Sequence, residues 1–172
     1  MLKTDLSLYD NSHYDPKGNM IKRFLWYFTN HLIFNHGLLP VNMVKVLLLR
    51  LFGAKIGSGV HIKPSVNIKY PWHLEIGNHV WIGEGVWIDC LTTVRIAGNA
   101  CISQGAMLLT GNHNYKKTTF DLEVGEITLE EGVWIGAKAI VCKQDALLSA
   151  LASAKEWMRI DDTDYYVYLF NN

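Results

Sequence analysis

Aliphatic residues recur at steps of six through the middle of this chain, and that beat constrains the fold more than any other feature. The first run is Ile56, Ile62, Ile68 and Leu74. After a shift of two residues the beat resumes at Ile76, Ile82, Ile88 and Val94. After a second shift it continues at Ile96, Ile102 and Leu108. A break follows, and Leu129, Ile135 and Val141 take it up again. A small or β-branched residue often sits four positions later, as at Val60, Val80, Val86, Ala100, Ala106 and Ala139. Gly often follows the aliphatic residue, as at Gly57, Gly77, Gly83 and Gly136. A helix would repeat at 3.6 residues and an isolated strand at 2. A beat of six is a strand plus a corner. Three such sides close a triangular coil of about 18 residues, and successive coils stack at about 4.8 Å. Fixed-period self-similarity of this kind predicts a solenoid whose coils bury their interior only against their neighbours. Gly and Asn are expected to supply the positive φ at the corners. A β-sandwich would not hold its strands to this beat.

Around the repeat the pattern changes twice. Residues 1 to 53 read as a helical arm, with Phe24, Leu25, Trp26, Tyr27, Phe28, Leu32, Ile33 and Phe34 in one stretch and Val41 to Phe52 in a second. Pro40 suits a first helical turn, and Gly53 a stop. Asn30, His31, Asn35, His36 and Gly37 interrupt the apolar run, so it does not reach membrane-spanning length. Two readings of the arm stay open: helices packed on the coil or on a neighbouring subunit, or a membrane-surface segment with Lys22, Arg23, Lys45 and Arg50 beside aromatics. Residues 54 to 142 are the solenoid, with a polar, repeat-free loop at 110–126 of the kind solenoids extrude on a functional face. Residues 143 to 172 depart from the pattern. They read as a helix with Ala146, Leu147, Ala150, Leu151 and Ala154 on one face, then a candidate strand from Tyr165. This tail is either a cap on the open coil end or the product of a frameshift or truncation near residue 143.

Composition narrows the function. The chain is 49% apolar and 19% charged, with 16 basic and 16 acidic residues, so it builds a core but no basic field for nucleic acid. The three cysteines, Cys90, Cys101 and Cys142, have no CxxC spacing, and no signal peptide precedes them. These features predict a reduced, cytoplasmic protein whose cysteines are small buried residues.

Four segments carry a more specific signal: Ile76-Gly-Asn-His-Val-Trp-Ile-Gly83, Ile102-Ser-Gln-Gly-Ala106, Thr110-Gly-Asn-His-Asn-Tyr115 and Gly132-Val-Trp-Ile-Gly-Ala-Lys-Ala139. They resemble the hexapeptide-repeat O-acetyltransferases, in the branch of colanic acid and other exopolysaccharide synthesis. Maltose and galactoside acetyltransferases are similar relatives. Leu49 to Gly57 and Tyr70-Pro71-Trp72 resemble that branch as well. The resemblance implies a left-handed parallel β-helix, a homotrimer with active sites between subunits, and acetyl transfer from acetyl-CoA to a sugar hydroxyl.

It also implies roles for residues. His113 falls at the family's catalytic histidine, and imidazole is the side chain suited to accept and return a proton near neutral pH. Asp89, Asn112 and Tyr115 are the candidates for the sugar acceptor, although Asp89 also reads as a solvated corner residue. Trp134, Gly136 and Ala137 are the candidates for acetyl-CoA, although Trp134 also reads as coil-surface packing. Backbone N–H groups near Trp134 to Ala137 are the natural donors to a developing oxyanion. No metal is expected. A zinc site needs three converging ligands, and only His113 of the seven histidines lies in the loop. A solenoid without catalysis is the competing reading, because the tail departs from the family.

Overall fold

A computed structural model describes residues 3–36, 41–114, 116–143 and 165–168. Its middle is four stacked coils of three short strands. The first coil holds β1 (Lys55–Ile56), β2 (His61–Ile62) and β3 (Asn67–Ile68). The second holds β4 (Leu74–Ile76), β5 (Trp81–Ile82) and β6 (Trp87–Asp89). The third holds β7 (Val94–Ile96), β8 (Cys101–Ile102) and β9 (Met107–Leu109). A hairpin of β10 (Gly111–His113) and β11 (Leu122–Val124) follows. The fourth coil holds β12 (Ile127–Leu129), β13 (Trp134–Ile135) and β14 (Ile140–Lys143). Equivalent strands pair in parallel from coil to coil, giving three flat faces: β1-β4-β7-β12, β2-β5-β8-β13 and β3-β6-β9-β14. The fold is a left-handed parallel β-helix.

The six-residue beat becomes three aliphatic ladders. Ile56, Ile76, Ile96 and Leu129 stack in register. So do Ile62, Ile82, Ile102 and Ile135, and Ile68, Ile88, Leu108 and Val141. The coil differs from the expected length, because Ile56 pairs with Ile76 and Ile76 with Ile96, a rise of 20 residues per coil. The two-residue shifts are not breaks in the ladder. They lengthen one strand by one inward position, since side chains alternate along a strand. Leu74 and Ile76 both point inward from β4, and Leu74 stacks on Val94 and Val94 on Ile127.

Positive φ at the corners falls on Gly59, Gly85, Gly105, Gly132 and Asn99, the expected residue types, but also on Ser65, His79 and Lys138. Gly57, Gly77 and Gly83 are needed for close stacking instead. A Cβ on Gly77 would lie 2.6 Å from the Gly98 nitrogen in the next coil. Of the cysteines, Cys90 and Cys142 are buried, and burial pushes the Cys90 thiol up to about 12. Cys101 is only half-buried, as an outward rung between Trp81 and Trp134.

The arm is α1 (Met20–Thr29), a π-helical segment Asn30–Asn35, and α2 (Asn42–Leu51). An open coil end exposes one row of unpaired backbone groups on each face. The arm satisfies all three rows of the first coil with side chains. Arg50 donates to the carbonyls of Ile56 and Gly57 on the β1 face. On the β2 face, Asn42 donates to Val60 O and accepts from Ile62 N, both at 2.7 Å, while Lys45 donates to Lys63 O at 2.9 Å. On the β3 face, Trp26 Nε1 donates to Ile68 O at 2.8 Å and Asn30 accepts from Ile68 N. Burial lowers the Lys45 pKa, and its two carbonyl partners compensate the ammonium. We expect Asn42→Ala to lower unfolding free energy by about 1–3 kcal/mol, because it strands one donor and one acceptor. Denaturant unfolding checks this.

The expectation that the arm packs on the coil holds for Trp26 and Phe34, which are buried, and for Phe52 beside them. Phe24, Leu25, Tyr27 and Phe28 do not pack on the coil and face outward. Among the described residues no helix is long and apolar enough to cross a membrane. At the other end, β15 (Tyr165–Tyr168) pairs antiparallel with β14, on the segment read as a candidate strand. The helix expected before it lies outside the described residues.

Candidate active site

The insertion at 110–126 is not a plain loop. It folds as the β10–β11 hairpin, with Gly111 opposite Val124 and His113 opposite Leu122. Thr110, buried at its base, fixes its departure from the coil. Its hydroxyl donates to Asp89 O and accepts from Leu91 N. The N-terminal leader runs along the hairpin: Asp5 N donates to Thr118 O, His13 Nε2 lies 3.0 Å from Leu122 O, and Tyr14 Oη donates to Leu91 O at 2.7 Å.

His113 is half-buried at the end of β10. Its Nδ1 lies 3.0 Å from the Phe120 carbonyl. A carbonyl only accepts, so Nδ1 carries the proton, and the neutral ring keeps its lone pair on Nε2. No hydrogen-bond partner of Nε2 occurs among the described residues. The Phe120 ring stacks on the imidazole at 4.5 Å and 3°, and Tyr9 approaches it at 5.7 Å. Phe120 takes φ +52°, a left-handed conformation uncommon for an aromatic residue. Such strain concentrates at functional segments.

Asp89 ends β6 and is buried, 9% exposed. Lys69 Nζ lies 3.2 Å from its Oδ1, close enough for an ion pair, yet Oδ1 makes no hydrogen bond of good geometry among the described residues. A carboxylate oxygen held only by charge keeps acceptor capacity. Gly111 packs beside it against Leu91: a Cβ there would lie 2.5 Å from Leu91 Cδ1 and 3.6 Å from Asp89 Oδ2. Gly111 and His113 share one side of β10, two residues or about 6.6 Å apart. Asn112 lies between them in sequence, half-buried on the opposite side of the strand. Tyr115 lies outside the described residues.

Trp134, Gly136 and Ala137 are elsewhere. Trp134 is the outer rung of β13, 75% exposed, with Nε1 donating to Ser103 Oγ at 2.8 Å. In the three lower coils the N–H of Lys63, Gly83 and Ser103 donates to the coil above. Gly136 holds the same place in the fourth coil, and its N–H has no such partner among the described residues. A Cβ there would meet nothing within 4 Å. The edge is thus open and carries donors, which fits an extended ligand with amide and carbonyl groups. It lies at the opposite end of a face from His113. Cys142 pairs with Leu109, so a corner at Lys138 and the first residues of β14 separate Ala137 from the rung at which β9 ends. Among the described residues no hydrogen bond or ring contact joins the two groups.

Sequence reasoning missed Tyr9, Lys69 and Phe120. Lys69 had a signal, since it lies one coil below Asp89 at the 20-residue repeat. Tyr9 and Phe120 had none, because their neighbourhood with His113 depends on how leader and hairpin fold back. Among the described residues no group of three or more His, Cys, Asp or Glu side chains assembles as a metal site.

No protein-family model matches the chain. It is 37% identical over 124 residues to the "Putative colanic acid biosynthesis acetyltransferase WcaF" of Escherichia coli (strain K12), covering 72% of this chain and 68% of that relative. A protein of the same name from Shigella flexneri matches to the same extent.

Proposed function

Since this chain belongs to the hexapeptide-repeat acetyltransferases, we propose that it transfers an acetyl group from acetyl-CoA to a saccharide hydroxyl in exopolysaccharide synthesis, with His113 as general base. The observation that carries the reading is the bond between His113 Nδ1 and the Phe120 carbonyl, which leaves Nε2 as the basic nitrogen. Acetyl-CoA supplies the acetyl group as a thioester when bound. Nε2 takes the proton of the acceptor hydroxyl as the oxygen attacks, and returns it to the departing sulfur. The Phe120 carbonyl stabilises the imidazolium through Nδ1–H, as an orienting acceptor does in other His-dependent sites. Asp89 accepts hydrogen bonds from acceptor hydroxyls, and Asn112 and Tyr115 complete that side. Trp134, Gly136 and Ala137 hold acetyl-CoA along the open edge, with the Gly136 N–H as an oxyanion or ligand donor. A thiol-release assay with acetyl-CoA and a panel of saccharides tests the reading. Saccharide-dependent release supports it, and no release with any acceptor counts against it.

Asp89→Ala should act chiefly through acceptor KM, with kcat less affected, since the carboxylate meets ground and transition states alike. Steady-state kinetics over a range of acceptor concentrations separates the two.

The distance between the His113 group and the Trp134 group within one chain supports a site shared between copies, in a C3 homotrimer. Mixing inactive His113→Ala and Gly136→Glu chains tests this. If sites are shared, some sites in mixed trimers receive two intact halves, and activity reappears on subunit exchange. If each chain holds its own site, the mixture stays inactive.

A further inference from the structure

The arm is built inside out. A capping element of a solenoid ordinarily turns a polar face to solvent. Here the polar side chains turn inward to satisfy the first coil, and the outward face is apolar. On α1 and the π-helical segment, Met20, Ile21, Phe24, Leu25, Phe28 and Leu32 follow one another at steps of one, three and four residues along the exposed side. Met20 is 78% and Phe24 60% exposed. On α2, Met43, Leu47 and Leu51 repeat the arrangement, with Met43 and Leu51 both 76% exposed. Phe24, Tyr27 and Phe28 form an edge-to-face aromatic cluster in the open, with centroids 4.9 and 5.3 Å apart.

Charge indicates what covers this face. The chain is neutral overall, yet no Asp or Glu occurs between Asp15 and Glu75, a stretch that carries Lys17, Lys22, Arg23, Lys45, Arg50, Lys55, Lys63 and Lys69. Arg50 is exposed at the end of α2, with its guanidinium on the Ile56 and Gly57 carbonyls. Arg23 and Lys69 line a cleft of about 390 Å³ between arm and coil. Lys17, Lys55 and Lys69 are paired with Asp15, Glu75 and Asp89, and Lys45 is buried, but Lys22, Arg23 and Lys63 have no ion pair among the described residues, so two copies meeting arm to arm would bring like charges together. A surface that is apolar within and anionic at its boundary complements both features.

We propose that the outer face of the arm docks on an anionic lipid bilayer, with the aromatic cluster and the methionines entering the headgroup boundary and the coil standing above the membrane. Neither helix crosses the bilayer. The proposal does not depend on the acyl-transfer reading, since vesicle binding is measured without substrate.

The test is co-sedimentation of the full chain with phosphatidylcholine vesicles, with and without phosphatidylglycerol. Wild type should pellet with the anionic vesicles and about tenfold less with the neutral ones. The difference should shrink in 1 M salt, where screening falls to about 3 Å. Phe24→Glu/Met43→Glu places one charge on each helix at positions that contact solvent, so folding is preserved. This variant should lose binding to anionic vesicles by about tenfold or more at unchanged melting temperature and unchanged oligomeric size. Wild type remaining in the supernatant with both vesicles overturns the proposal, as does a double variant that binds as well as wild type. A double variant whose oligomer falls apart in sedimentation velocity also overturns it, because the face then belongs to a contact between copies.

Discussion

His113→Ala lowers kcat by about 10²–10⁴-fold and leaves acetyl-CoA affinity within about twofold, because general base catalysis supplies a rate factor of that order. On the proposed mechanism the two readouts diverge, because the imidazole would address the acceptor hydroxyl and the Trp134–Ala137 edge the acetyl donor. Titration calorimetry with acetyl-CoA and steady-state kinetics on the same preparation give both quantities. A kcat within about twofold of wild type would assign the base to another group.

The second large effect is on stability. Ile82 is fully buried and sits in mid-ladder between Ile62 and Ile102. Ile82→Ala removes three carbons from a rung that neighbouring coils cannot collapse to fill, since their backbones are pinned at hydrogen-bonding distance. We expect a loss of about 2–5 kcal/mol, which for a chain of this size lowers Tm by roughly 4–20 °C. Trp134→Ala is the control. It truncates a larger side chain, but an exposed one, and should change stability by no more than about 0.5 kcal/mol while weakening acetyl-CoA binding. Calorimetric scans of the two variants beside wild type distinguish them. An equal loss in both would mean that the outward rungs, and not the ladders, hold the coils together.

Much of the coil was legible because its interior is periodic and local. Ile56, Ile62 and Ile68 mark three sides of one coil with no knowledge of tertiary contacts, and the Gly after Ile56, Ile76 and Ile82 marks where coils touch. The two-residue shifts were legible as positions but not as geometry. Ile68 to Leu74 keeps the beat, and only pairing in register shows that Leu74 and Ile76 share a strand. His113 was legible through the motif that surrounds it. Its orientation was not, because Phe120 reaches it across the hairpin and Tyr9 from a leader over a hundred residues away. The capping roles of Asn30, Asn42, Lys45 and Arg50 were hidden for a related reason. In the sequence they look like interruptions of an apolar stretch. Their purpose appears only once the unpaired carbonyls of β1, β2 and β3 are located. Lys45, nominally the most soluble kind of residue, is fully buried by that requirement.

The proposed reaction forms an ester bond between an acetyl group and a saccharide oxygen. Carbon-13 NMR of wild-type protein with acetyl-CoA labelled at the acetyl carbonyl, and with exopolysaccharide-derived oligosaccharides, observes that bond directly. The predicted result is a new ester carbonyl resonance, coupled through the oxygen to a sugar C–H, that grows as the thioester resonance fades and fails to grow with His113→Ala. A thioester signal that persists unchanged beside folded wild-type protein and every saccharide offered, or that decays only to free acetate, would contradict the account.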